Sequence, residues 1–85
     1  EEAIKLQQEV VDASRRVLGE EDVESIRRSA NLAVMLDDAG RSNEAEAIHR
    51  RLLELQQRNH GNDHPDTLAT LAELASVLQY QGKLE

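Results

Sequence analysis

The sequence predicts an all-α chain, an α-solenoid of antiparallel helix pairs, and three observations carry that prediction. Glycines recur at one offset, Gly61 standing 42 positions after Gly19 and Gly82 standing 42 after Gly40. The apolar residues between them recur at steps of three and four, the spacing of one helix face. They also repeat in register, Ala30, Leu32, Ala33 and Leu36 falling on Ala72, Leu74, Ala75 and Leu78 at the same offset. A fixed period built from helical units marks a repeat architecture, in which each unit buries its apolar face only against its neighbours.

Four helices follow in chain order. The first, within residues 1–18, is read from Ala3, Leu6, Val10, Ala13 and Val17. The second runs from about Glu24 to Ala39 on Ile26, Ala30, Ala33 and Leu36, with Leu32 and Met35 beside them, and Gly40 stops it as a left-handed cap. Asn43 is expected to cap the third, about Glu44 to Gln57, whose stripe is Ala45, Ile48, Leu52 and Leu55. The fourth, about Asp66 to Gln81, carries Leu68, Leu71, Ala72, Leu74, Ala75 and Leu78 and ends at Gly82. Glu46 with Arg50 and Glu54 with Arg58 are expected ion pairs on the third helix. The connection "GRSN" is short enough to force antiparallel neighbours, while "LGEEDV" and "NHGNDHP" are longer.

The stretch "HGNDHPDTL", His60 to Leu68, has the density of His and Asp that suggests a metal site. It aligns at the common offset with "LGEEDVESI", Leu18 to Ile26, where Leu18 replaces His60 and Asp22 replaces His64. A joint keeps its shape while its side chains vary. Gly19 and Gly61 supply permissive backbone, Pro65 presets φ for the first turn, and Asp63 or Asp66 with Thr67 offers oxygens to its free N–H groups. Two histidines spaced H-x3-H share a face only on a helix, which Gly61 and Pro65 oppose, so no metal is assigned. His49, one step from the third helix's stripe, is read as a packed or half-exposed helix residue.

Composition narrows function further. Eighty-five residues make one small domain, and without Cys, Trp or Phe its core must be aliphatic. A net charge of -7 repels phosphate backbones and anionic lipid, so neither nucleic acid nor membrane is an expected partner. The serines lie in no nucleophile-elbow context and the glycines are isolated stops, so neither catalysis nor a phosphate loop is expected, and no cofactor is assigned. The start lacks a signal peptide's basic and apolar regions, and a cytoplasmic location is expected. The chain is read as a piece of a longer array: helix B of a truncated repeat over 1–18, one complete repeat over 19–60, and helix A of a truncated repeat over 61–85, in the order B-A-B-A.

The segments "VLGEE", "NLA", "AGR", "EAEAI", "HPDTL", "ELA" and "QGK" at this spacing resemble tetratricopeptide repeats of the 42-residue kind. Such repeats occur in kinesin light chains and in the arrays of NB-ARC or NACHT nucleotide-binding receptor-like proteins, many of them fungal. The likeness covers nearly the whole chain. Asp22 and Val23 stand where His-Pro is usual, and Glu73 stands where Asn commonly precedes Leu-Ala; Asn31 matches the family.

The resemblance implies that the A helices line a concave face. That face would carry Arg27, Asn31, Val34, Asp37, Asp38, Glu73, Ser76, Gln79 and Tyr80, spaced by threes and fours. A groove of this kind would take a peptide or protein partner, with Asn31 and Gln79 bonding its amides, Tyr80 adding apolar area and the carboxylates favouring basic ligands. The other expectation is a spacer, sensor arm or self-assembly segment of a nucleotide-binding receptor-like protein. Its partners would be neighbouring repeats, or a second copy meeting the Ala3, Leu6 and Val10 face at one end or the Leu71, Leu74 and Leu78 face at the other.

Overall fold

The computed structural model describes residues 1–82 and forms four helices: α1 (Glu2–Leu18), α2 (Val23–Asp38), α3 (Ser42–His60) and α4 (Pro65–Tyr80), with no strand among the described residues. Lys83 of the "QGK" segment and the end of the 61–85 segment lie outside the described residues.

Each helix packs chiefly on its neighbours in the chain. Ion pairs reveal their directions. Arg41, just before α3, reaches Glu1 at the start of α1 at 2.8 Å, and Arg58 near the end of α3 reaches Glu21 just past α1 at 2.8 Å. α1 and α3 therefore lie parallel, side by side, in one layer. Gln81, just past α4, donates to Asn43 at the start of α3 at 3.1 Å, which makes α3 and α4 antiparallel. The Cα envelope of 40 × 33 × 14 Å agrees with two helical layers, because packed helix axes stand about 8–10 Å apart. The fold is an all-α, solenoid-like stack of antiparallel helix pairs.

The joints repeat as the offset demands. Gly19 and Gly61 adopt φ of 96° and 84°, and Gly40 and Gly82 adopt 81° and 77°. At Gly40 the Arg41 N–H donates to Leu36 O at 2.8 Å and the Gly40 N–H to Asp37 O at 3.0 Å. These two bonds satisfy carbonyls that the helix end would leave free, and they require a residue in the left-handed region between them.

The same tight turn explains one departure from expectation. Its bond to Leu36 holds Arg41 immediately before α3, so the helix starts at Ser42 with Arg41 as its N-cap and no side-chain cap. Asn43 lies inside the first turn, where it accepts from Gln81 instead of capping. Arg41 grips Glu44 as well as Glu1. Glu46 and Arg50 pair at 2.8 Å as expected, whereas Glu54 pairs with Arg51 and Arg58 turns to Glu21. A carboxylate in the neighbouring joint, bonded by both Arg58 and Asn59, competes successfully with one on the same exposed helix.

The core is aliphatic. Ile4, Val11, Leu32, Ala33, Leu36 and Ala45 form one cluster with Met35 and Ile48 against it, and Leu52, Leu55, Leu74 and Val77 are also buried. Burying a Leu or Val side chain fully contributes about 1.5–3 kcal/mol.

The Leu6 and Val10 face of α1 stays open, as expected of an end that a second copy would meet, whereas Leu74 of the other expected open face is buried. α1 turns Ile4, Val11 and Ser14 inward, while Leu6, Val10 and Val17 are exposed, Leu6 at 54%. α4 turns Thr67, Thr70, Leu74 and Val77 inward, while Leu68, Leu71, Ala72 and Ala75 are exposed, Leu71 at 46%, and Leu78 is half-buried. Both helices carry two apolar stripes. α1 packs chiefly on α2 and α4 chiefly on α3, so only one stripe of each is covered.

Candidate functional site

α2 and α4 stand next to each other in one layer, with α3 beneath them. Between them lie two depressions that share Glu73. One, about 290 Å³, is bordered by Val23, Ile26 and Arg27 of α2 and by Asp66 and Thr70 of α4, with Gln56 of α3 in its lining. The other, about 140 Å³, is bordered by Val34 and Asp37 of α2 and by Glu73, Ser76 and Val77 of α4, with His49 of α3 in its lining. Together they form a groove along the outer side of the two helices.

The helix starts that hold this groove share a design. Asp22 accepts from the Glu24 N–H at 2.8 Å, and the Nδ1 of His64 accepts from the Asp66 N–H at 3.1 Å. His64 is therefore the cap of α4, in place of the Asp63, Asp66 or Thr67 that the sequence suggested. Its backbone, φ −69° and ψ 139°, matches that of Asp22, φ −66° and ψ 143°. Pro65 begins the helix, where its lack of an N–H is harmless. His60 and His64 stack with ring centroids 4.4 Å apart, so the histidine-rich stretch joins two helices through a ring contact and a cap.

The structure gathers five of the nine expected concave-face residues. Val34, Asp37, Glu73 and Ser76 surround the smaller depression, and Arg27 faces Glu73 across the larger. Arg27 also bonds Glu24 at 3.0 Å. Asn31, Asp38, Gln79 and Tyr80 are exposed but line neither depression, and Tyr80 is 79% exposed.

Sequence reasoning missed Gln56 as a lining residue and left His49 without a role. His49 is 2% exposed, its Nδ1 has no hydrogen-bond partner, and Glu73 Oε1 is 3.9 Å away, too far for a hydrogen bond. Burial pushes the His49 imidazolium below the ordinary histidine value, opposed by the charges of Glu73 and Asp37. The Asp37 Oδ1 and Gln56 Oε1 atoms are likewise buried without a partner. One signal was available: Ala45, His49, Leu52 and Gln56 are spaced by four, three and four, so the two polar residues share the buried stripe.

Elsewhere the polar contacts are structural. Arg51 grips both oxygens of Glu20 at 2.8 and 2.7 Å, tying the first joint to α3 and holding the Glu20 carboxyl below its usual range. The bonds from Asn59 and Arg58 lower Glu21, and the bond from Arg41 lowers Glu44. Among the described residues no helix is long and apolar enough to cross a membrane.

Paired helices of alternating direction, joints that repeat their glycine conformations, and a groove between alternate helices define a helical-repeat scaffold. Family models described as tetratricopeptide repeat match residues 25–85 and residues 1–24, and the chain belongs to that family. Repeats of this family generally act as non-catalytic scaffolds and mediate protein–protein interaction. The chain is also similar to a clustered mitochondria protein homolog of Ajellomyces capsulatus (strain NAm1 / WU24), at 29% identity over 83 residues. The match covers 98% of this chain and 7% of that protein.

Proposed function

We propose that the chain is a peptide- or protein-binding segment of a longer tetratricopeptide array, reading its partner along the groove between α2 and α4. The observation that carries this is the groove itself: two depressions meeting at Glu73, flanked by exposed Asn31, Val34, Gln79 and Tyr80. Asn31 and Gln79 bond partner amides, and Tyr80 supplies contact area at little conformational cost. The repeat limits of 1–18, 19–60 and 61–85, the likeness to the 42-residue kinesin-light-chain type and a cytoplasmic location belong to the same reading. The match to a small part of a much longer relative supports a segment embedded in a larger chain.

Peptide display against the protein tests this, with Asn31→Ala and Tyr80→Ala as controls. A shared motif whose affinity falls about tenfold in either variant, equivalent to about 1.4 kcal/mol, supports a groove reader. No enrichment, or enrichment indifferent to both changes, overturns it.

The exposed faces at the two ends favour a second reading, that of a spacer, sensor arm or self-assembly segment of a nucleotide-binding receptor-like protein. Val10, Val17 and Leu18 border a depression of about 330 Å³ on the α1 side, and Leu68 and Leu71 stand exposed on α4. Helical-repeat units stack by covering such faces. Sedimentation analysis at millimolar concentration is expected to show concentration-dependent association, and a strictly monomeric species would count against it.

A further inference from the structure

We infer that the depression over His49 seats the ammonium group of a lysine side chain brought by the partner. This rests on the groove reading above and names one feature of what the groove takes. Three acceptors line the depression, one from each of three helices: Asp37 of α2, His49 of α3 and Glu73 of α4. Two of them contribute buried atoms without a partner, the Asp37 Oδ1 and the His49 Nδ1. An ammonium has three N–H donors and no acceptor, the complement of this lining.

The state of His49 decides the sign of its contribution. A neutral imidazole protonated on its other nitrogen presents Nδ1 as an acceptor, whereas imidazolium presents two donors and repels a cation. Burial keeps the ring neutral at pH 7. The charged groups facing it are Asp37 and Glu73, both favouring a cation, and no Lys or Arg lines the depression. Val34 and Val77 supply apolar walls for the methylene stem.

Competing cations fit less well. Asp, Glu and His together suggest a divalent metal, yet no group of three potential metal ligands converges among the described residues. An ammonium bonds its acceptors at about 2.7–2.9 Å, against about 2.0–2.2 Å for zinc, so it suits a wider ring of acceptors. A guanidinium is a planar fork best matched to a single carboxylate, whereas these acceptors stand on three separate helices. The net charge of -7 draws cations to the surface as a whole.

The probe is n-butylammonium, which copies the end of a lysine side chain, with n-butanol as its uncharged counterpart and n-butylguanidinium as the arginine equivalent. Each is titrated at constant ionic strength while the His49 ring is followed by NMR. Butylammonium should give a saturable shift that butanol does not. Asp37→Asn and Glu73→Gln, which preserve shape at the groove, should each weaken binding about tenfold. Bound cation and ring proton exclude one another, so butylammonium should lower the His49 pKa further, and binding should weaken as pH falls.

Absence of saturation, an equal response to butanol, undiminished binding in both variants, or stronger binding of butylguanidinium would each overturn the assignment. Failure here is separable from failure of the groove. Display-selected peptides that need Asn31 and Tyr80 but no lysine leave the groove standing and sink the pocket. Butylammonium binding without any selected peptide does the reverse.

Discussion

Asp22 and His64, 42 positions apart, hold the same backbone conformation and accept the same bond, each from the N–H two residues ahead. A carboxylate oxygen in one joint and an imidazole nitrogen in the other satisfy the helix start equally. What the position requires is an acceptor at that distance from the backbone.

His64→Ala removes the acceptor and should lower stability by about 0.5–2 kcal/mol. His64→Asp should retain most of it, since Asp22 performs the same task and an anion suits a helix start. Urea denaturation of the three proteins checks this, and equal midpoints for wild type and His64→Ala would remove the cap from the account.

Gly40→Ala should destabilise by about 1 kcal/mol or more. Nothing lies within 4 Å of the added Cβ, so the cost comes entirely from holding an L residue at φ 81°. The m-value should stay constant while the midpoint falls. An unchanged midpoint would mean the turn tolerates another geometry.

Folding stability should fall as pH drops below about 6.5, because the unfolded chain then binds a proton that buried His49 resists. The loss should level off below the lowered folded value. A second loss follows below 4.5, where the unfolded chain protonates Glu20, Glu21 and Glu44 while their Arg or Asn partners hold the folded carboxylates ionised to lower pH. The His49→Leu variant should lack the first limb and keep the second. A limb that persists in the variant would assign it to another group.

Leu32→Ala should cost about 2–5 kcal/mol, since Leu32 is almost fully buried in the main cluster. In a domain of this size that approaches the whole stability, and thermal melting should show a large drop or no transition. Leu6→Ala, on the uncovered face of α1, should change the melting temperature little unless copies of the chain associate there.

Local chemistry determined much of this protein from its sequence alone. Four helices, three joints and their common period follow from glycines that end helices and apolar residues spaced to share a face, and these act within a turn or two of themselves. The five groove residues Arg27, Val34, Asp37, Glu73 and Ser76 were legible for the same reason, as one stripe on each of two helices. Tertiary packing alone decided the rest. α1 and α4 each carry two apolar stripes, and only the placement of α2 and α3 selects Ile4 with Val11, and Leu74 with Val77, for burial. His49 became a buried lining residue because α3 packs against both α2 and α4, which shut water from its ring. Periodicity specifies a face; which neighbour covers that face, and what it leaves unpaired there, depends on contacts between residues far apart in the chain.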